Sequence, residues 1–168
     1  MVTGTMGELT VGLDLGGTKI AAALVDREGA VLGEDRRPTE AERGVEHVIG
    51  NLVAAVRAAA GDRLNRVSAV GLGAPGPLNI ARGLIFKAPN LPGWDDVPVV
   101  RLLRERLGGL PVVLENDANA AGYGEWALGA GRGTRNLIYL TISTGIGGGI
   151  IIDGRVYHGR DDAAGEVG

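Results

Sequence analysis

A strand, a glycine-rich turn, a second strand, an Asp-containing turn and a third strand occur twice in this 168-residue sequence. The repetition limits what the chain can fold into. In the first copy Leu9 to Leu15 alternates as a strand, Gly16-Gly17-Thr18 forms the turn, and Lys19 to Val25 is the second strand. Asp26 to Gly29 then turns into Ala30 to Arg36. In the second copy the strands are Leu137 to Ser143, Gly149 to Ile152 and Arg155 to His158. Thr144-Gly145-Ile146-Gly147-Gly148 is the glycine turn, and Asp153-Gly154 is a two-residue hairpin signal. Two antiparallel meanders in one chain predict an internal duplication and an α/β architecture of two related units.

The stretch between the copies carries the elements that cover the first meander. Val45, Val48, Ile49, Leu52, Val53 and Val56 lie on one helical face, with Gly61 as the stop. Arg66 to Leu72 is a strand that runs into Gly73-Ala74-Pro75-Gly76-Pro77, where regular structure cannot continue. A loop-rich stretch through Trp94 follows. Next come a short helix on Val99, Leu102, Leu103 and Leu107, a strand from Pro111 to Leu114, a turn at Glu115-Asn116-Asp117, and a helix from Ala118 to Leu128. The second meander has only one preceding helix and little chain after it. A meander so poorly covered buries one sheet face badly. The expectation is a first α/β domain over residues 1–114 and a second, incomplete in this chain, over 115–168.

Composition removes several function classes. The net charge of −3 offers no basic excess for nucleic acid. There is no cysteine, hence no disulfide framework and no thiolate metal site. No apolar run reaches membrane-spanning length and no signal peptide is recognisable, so a cytoplasmic protein without a membrane partner is expected. Glycine, at 30 of 168 residues, far exceeds the usual ~7%. It is clustered, which marks special backbone sites.

Those clusters are the candidate sites. Adjacent glycines in Asp14-Leu15-Gly16-Gly17-Thr18-Lys19 let backbone N–H groups approach a polyphosphate. Thr18 and Lys19 can hydrogen-bond it, and Asp14 can hold Mg²⁺ through water. A tight hairpin with a solvent-facing Asp and Lys explains the same residues. Thr144-Gly145-Ile146-Gly147-Gly148-Gly149 is a second phosphate-loop candidate with more glycine than a turn requires. In Glu115-Asn116-Asp117-Ala118-Asn119, Asp117 suits a general base toward a hydroxyl, with Asn116 on a neighbouring hydroxyl. Helix capping explains the same pair. A helix N-terminus favours the charged carboxylate, which phosphoryl transfer tolerates because its base mainly orients the nucleophile. The spacing Gly71, Gly73, Gly76 matches a dinucleotide fingerprint only on paper, since Pro75 and Pro77 deny it a helix. No Walker loop is present. His47 reads as a surface residue, His158 carries no signal, and Trp94 and Trp126 read as packing.

Taken in order, the segments Leu13 to Lys19, Gly73 to Pro77, Ala88-Pro89-Asn90-Leu91, Glu115 to Asn119, Thr144 to Gly149 and Ala164-Gly165-Glu166-Val167-Gly168 resemble the ROK family of sugar kinases, repressors and open reading frames, especially its bacterial glucokinases. The resemblance implies an actin-like ATPase (ribonuclease H-like) fold, two related domains with a cleft between them. It implies ATP-dependent phosphorylation of a hexose, glucose foremost, at the 6-hydroxyl with Asp117 as base. Asn90, Asn116, Asp117, Glu166 and Gly76 would bind the sugar. Asp14, Gly16, Gly17, Thr18, Lys19, Thr144, Gly145, Gly147 and Gly148 would bind ATP, with Mg²⁺ near Asp14.

The family pattern continues past this Glu-x-Gly with a sugar-binding His and a Cys-rich zinc site, so structural Zn²⁺ belongs to the part beyond Gly168. The expectation is therefore the N-terminal half of a kinase, inactive on its own, from a homo-oligomeric parent. Two alternatives remain: a non-catalytic sugar-binding fragment, and a sugar-responsive regulator without its DNA-binding domain. The regulator fits less well, because the Asp14 loop begins almost at once and the net charge is negative.

Overall fold

The computed structural model describes residues 9–88, 90–142 and 146–167. Period-two alternation puts Leu9, Val11, Leu13 and Leu15 of β1 (Leu9–Leu15) on one face, joined by Ile20, Ala22 and Leu24 of β2 (Lys19–Val25). β3 (Val31–Pro38) completes the antiparallel meander that the sequence predicts. On that buried face lies α1 (Val45–Ala60), whose Val48, Ile49, Leu52, Val53 and Val56 are all buried. Each such large aliphatic stabilises the fold by about 1.5–3 kcal/mol on leaving water. Gly61, at φ 55°, ends the helix where a side chain would be strained.

β4 (Val67–Ala74) then runs parallel to β1 and stops at the Pro75-Gly76-Pro77 segment. The following stretch differs from the expected loop. β5 (Leu78–Asn79), β6 (Leu84–Lys87) and β7 (Asp95–Val97) form a three-stranded antiparallel sheet in that order. Strands of two to four residues are too short to show a period, so sequence alternation cannot reveal them. Their pairing centres on Ile85, opposite Leu78 and Val97, with all three buried near Trp94. α2 (Val99–Arg106) packs beside α1 through buried Val99 and Leu103. β8 (Val112–Asn116) then adds parallel to β4, giving a five-stranded sheet in the order β3-β2-β1-β4-β8.

α3 (Asp117–Ala127) starts directly at the end of β8. No turn separates them, contrary to the sequence reading, because the strand continues through Asn116 and that residue caps the helix. A second three-stranded sheet follows, β11-β10-β9, from β9 (Leu137–Ile142), β10 (Ile146–Ile152) and β11 (Arg155–Val156). Asp153 and Gly154, with φ of 52° and 73°, make the two-residue hairpin expected of them. Of the turn expected over Thr144 to Gly148, Thr144 and Gly145 lie outside the described residues, and Gly147 and Gly148 do not belong to a turn. Both glycines lie inside β10, paired with Thr141 and Leu140, and neither they nor Gly149 has a positive φ.

The glycine run exists for close packing. α3 lies against β9 and β10. A Cβ on Gly149 would sit 2.8 Å from the Ala118 carbonyl oxygen, and one on Gly148 would sit 2.9 Å from that of Gly165. α3 answers with its own glycine, since a Cβ on Gly122 would meet Tyr139 Cβ at 2.9 Å. α3 covers only one face of the second sheet. On the other, Ile138, Leu140, Ile142 and Ile146 are exposed, Ile142 at 79%. Among the described residues no helix is long and apolar enough to cross a membrane.

This packing separates two glycine substitutions. Gly149→Ala forces backbone apart and is expected to lower stability by about 1–3 kcal/mol. Gly50→Ala, on the exposed side of α1 with nothing within 4 Å of the new methyl, is expected to raise it by about 0.5–1 kcal/mol. Urea denaturation of both variants, with an unchanged m-value, checks the pair.

Candidate active-site cleft

A cleft of about 700 Å³ opens where β4 and β8 end and the second sheet begins. It is lined by Gly76, Asn90, Asn116, Asp117, Gly147, Gly148 and Glu166 together with Pro75, Thr141, Asp161 and Asp162. Every residue that the sequence suggests for sugar binding therefore lines one hollow, although these residues are scattered from 76 to 166. Gly76 sits where a Cβ would lie 3.8 Å from both Asn116 Nδ2 and Glu166 Oε1, so these groups converge around it.

The junction of β8 and α3 sets the chemistry of two of them. Asn116 Oδ1 accepts from the N–H of Ala118 at 2.9 Å and of Asn119 at 3.1 Å, capping α3. That fixes the orientation of the amide, and its Nδ2 end, toward Gly76, can only donate. Asp117 Oδ1 accepts from the Ala118 N–H at 2.8 Å. Its side chain is otherwise exposed to the cleft. Capping uses only Oδ1, which leaves the Nδ2 end of Asn116 open to the cleft.

Asp117 also lines a second hollow of about 390 Å³, with Leu13, Asp14, Gly73, Tyr139 and Thr141. Asp14 and Asp117 are near enough to feel each other's charge. Burial pushes the Asp14 carboxyl above its ordinary value of 3.8, the Asp117 carboxylate pushes it further, and Lys19 partly offsets both. Two carboxylates against one ammonium make a setting that a divalent cation relieves.

The turn between β1 and β2 is tight, with the Gly16 N–H donating to the Lys19 carbonyl at 3.0 Å. Gly17 has no positive φ; space makes it glycine. A Cβ there would meet Asn90 Cβ at 2.6 Å, so the turn and Asn90 are in close contact. Thr18 and Lys19 are exposed beside it. Thr144 and Gly145 lie outside the described residues. Gly147 and Gly148 reach the cleft from a strand and not from a loop.

Three residues here escaped sequence reasoning. His158 stands 2.7 Å from Glu115 Oε2, and Glu115 Oε1 accepts from the Asn116 N–H at 2.9 Å and from Asn119 Nδ2 at 3.1 Å. His158 thereby ties the second sheet to the residue preceding the Asn-Asp pair. Thr39 is fully buried against the β1–β2 turn. A polar residue directly after a strand that ends at a proline was its only signal. His47 is not simply at the surface: it is half-buried and bonded to Glu40 at 2.6 Å. Trp94 is buried, and Trp126 donates to the Thr134 carbonyl at 2.8 Å; both serve packing. A separate groove of about 660 Å³ between the β5–β6 turn, α2 and β8, lined by Arg82, Arg101, Arg104 and Val113, contains none of the candidate residues.

Comparison with known proteins gives a consistent result. The sequence profile of the ROK family matches residues 10–168. A glucokinase of Streptomyces coelicolor is 44% identical over 161 residues, which are 95% of this chain and 49% of that protein. The crystal structure of a ROK family glucokinase from Streptomyces griseus in complex with glucose and AMPPNP superposes with a TM-score of 0.86 at 43% identity, covering 95% of this chain and 49% of that one. The ROK hexokinase of Thermus thermophilus superposes equally well, at 48% identity and 52% of its length. The chain thus spans about half the length of the relatives it matches. The fold is the α/β, actin-like ATPase fold of those neighbours, in part.

The Asp14 shift has a measurable sign. A carboxyl whose folded pKa lies above its unfolded value supports the fold fully below about 3.8, and that support is lost as pH rises through the folded pKa. Asp14→Asn is therefore expected to melt higher than the parent at pH 7, with the difference closing below pH 3.8. Because Asp14 also reaches solvent, the difference is small. Asp117→Asn should lower the Asp14 pKa, read by carboxyl ¹³C titration; an Asp14 pKa that ignores this substitution contradicts the assignment.

Proposed function

The chain belongs to the ROK family, and from that premise we propose that it carries the sugar site and the base of an ATP-dependent hexose kinase acting at the 6-hydroxyl, with glucose as the hexose. One observation carries the reading. Asp117 lines both the cleft shared by Asn90, Asn116, Glu166 and Gly76 and the hollow that holds Asp14. A group at that joint can face a sugar hydroxyl and a phosphoryl donor together. Relatives at 39–44% identity that are glucokinases support sugar phosphorylation.

In this proposal Glu166 accepts hydrogen bonds from the sugar hydroxyls and Asn116 donates to one through Nδ2. Asn90 adds a further polar contact, and Gly76 lets the ring approach closely. Asp117 orients the 6-hydroxyl and takes its proton as O6 bonds to the γ-phosphorus and the bond from that phosphorus to the bridging oxygen breaks, releasing ADP, with the base mainly holding the nucleophile in line. MgATP, when bound, supplies the γ-phosphoryl group, with Asp14 on Mg²⁺ through water and with Gly16, Gly17, Thr18, Lys19, Thr144, Gly145, Gly147 and Gly148 around the phosphates. Closure of the cleft around the sugar would exclude water and so spare ATP from hydrolysis.

The same reading divides the chain after residue 114, the first unit holding the Asp14 turn and the second holding Asp117. It also takes the 168 residues as insufficient for turnover. The half-length match to the relatives and the open apolar face of Ile138, Leu140 and Ile142 support this.

Titration calorimetry of the 168-residue chain should show glucose binding, and a coupled assay with glucose and MgATP should show no ADP formation. Robust ADP formation would overturn the insufficiency. In a polypeptide carrying these residues at the length of the relatives, Asp117→Asn should lower kcat by about 10²–10⁴ with the KM for glucose changed little. Sugar binding with no transfer by that polypeptide would favour a regulatory or purely sugar-binding role.

A further inference from the structure

Among the described residues only two polar side chains are buried in full, Thr39 and Asn119. Asn119 belongs to the Glu115 network. Thr39, 0% exposed, has no part in the chemistry above and lies on the strap that leaves β3. A buried hydroxyl persists only where it is hydrogen-bonded. The Thr39 Oγ1 donates to the Gly16 carbonyl at 2.6 Å, and the Thr39 N–H donates to the Thr18 carbonyl at 2.9 Å. One residue therefore grips two of the carbonyls in the β1–β2 turn.

The grip has a geometric result. A trans peptide points its N–H opposite to its carbonyl. With the Gly16 carbonyl turned to Thr39, the Gly17 N–H faces away from it. Among the described residues neither the Gly17 nor the Thr18 N–H donates to a protein group. The same hold keeps Gly17 seated against Asn90, where a Cβ would meet the Asn90 side chain at 2.6 Å.

The strap is itself braced from α1. Asn51 Nδ2 donates to the Thr39 carbonyl at 3.3 Å and to that of Pro38 at 3.4 Å. The His47 ring lies 3.2 Å from Asn51 and 2.6 Å from Glu40, and Glu40 also pairs with Arg43. Glu40 keeps a left-handed backbone (φ 53°), uncommon for this residue type, under that hold.

We propose that Thr39 is the positioning residue of the phosphate-side turn. By holding the Gly16 carbonyl it turns the Gly17 N–H of the same peptide outward for phosphate oxygens, by holding the Thr18 carbonyl it pins the far end of the turn, and it locks the turn against the sugar-side Asn90. The phosphate assignment rests on the kinase reading; the anchoring of the turn does not.

Thr39→Val keeps the shape and removes the hydroxyl, and Thr39→Ser restores it. Backbone ¹⁵N relaxation should show the order parameters of Gly17 and Thr18 falling from near 0.85 toward 0.6 in Thr39→Val and recovering in Thr39→Ser, with β1 and β2 unchanged. Titration with MgATP should weaken about tenfold in Thr39→Val while glucose affinity stays within twofold. Should Thr39→Val fail to fold, Asn51→Ala removes the brace from the half-buried side and should loosen the same turn. Unaltered order parameters in these variants, or MgATP and glucose affinities that fall together, would overturn the proposal. If the parent chain binds no MgATP, the kinase reading is in question for this chain, while the relaxation data still decide the role of Thr39.

Discussion

Oδ1 of Asn116 accepts from the N–H groups of Ala118 and Asn119, and these two bonds decide where the chain leaves the first sheet and how it enters the second. Without a cap, a helix start has orphan donors and an undefined entry angle. With it, β8 passes into α3 with no intervening residue, and Asp117 is fixed at the junction. Its position between the larger cleft and the Asp14 hollow follows from that junction. The glycines of β10 complete the arrangement, since a side chain on Gly149 would push α3 off the second sheet and move Asp117 with it. Cap and glycine run are one device, and the cleft lies beside it.

Much of this was legible in the sequence, for identifiable reasons. β1, β2 and α1 match their expected bounds closely because seven- and sixteen-residue elements show full periods of burial. The repeated order of strands and turns was visible, and the structure gives β1–β3 and β9–β11 as antiparallel meanders in separate sheets. The short strands β5 to β7 were not visible, because their pairing depends on Ile85 meeting Leu78 and Val97 across the chain. The glycine run exceeds what a turn needs, and the cause is a helix that the sequence does not place beside it.

The candidate site was legible in a similar way. Asn90, Asn116, Asp117, Glu166 and Gly76 come together because each ends or follows an element pointing to one edge of the sheets. Glu115, His158 and Thr39 were missed because their partners are far off in sequence, 43 residues in one case and 23 in another. A hydrogen bond across such a separation leaves no period and no motif. Residues that act directly on a ligand tend to sit in compact turn-and-cap motifs, whereas residues that hold those motifs in place are set by tertiary contact alone.

That division explains the placement of charge around the cleft. Asp14 lies near the end of β1 and Asp117 opens α3 directly after the end of β8, with β4 between the two strands. A strand order that inserts β4 brings the two carboxylates near each other without making them hydrogen-bond partners. Asp117 is close enough to add to the burial that raises the Asp14 carboxyl, and it stays exposed to the cleft. Adjacent carboxylates would share a proton and neither would remain a dedicated base. The parallel pairing of β1, β4 and β8 thus places Asp14 in the smaller hollow and Asp117 where that hollow meets the cleft.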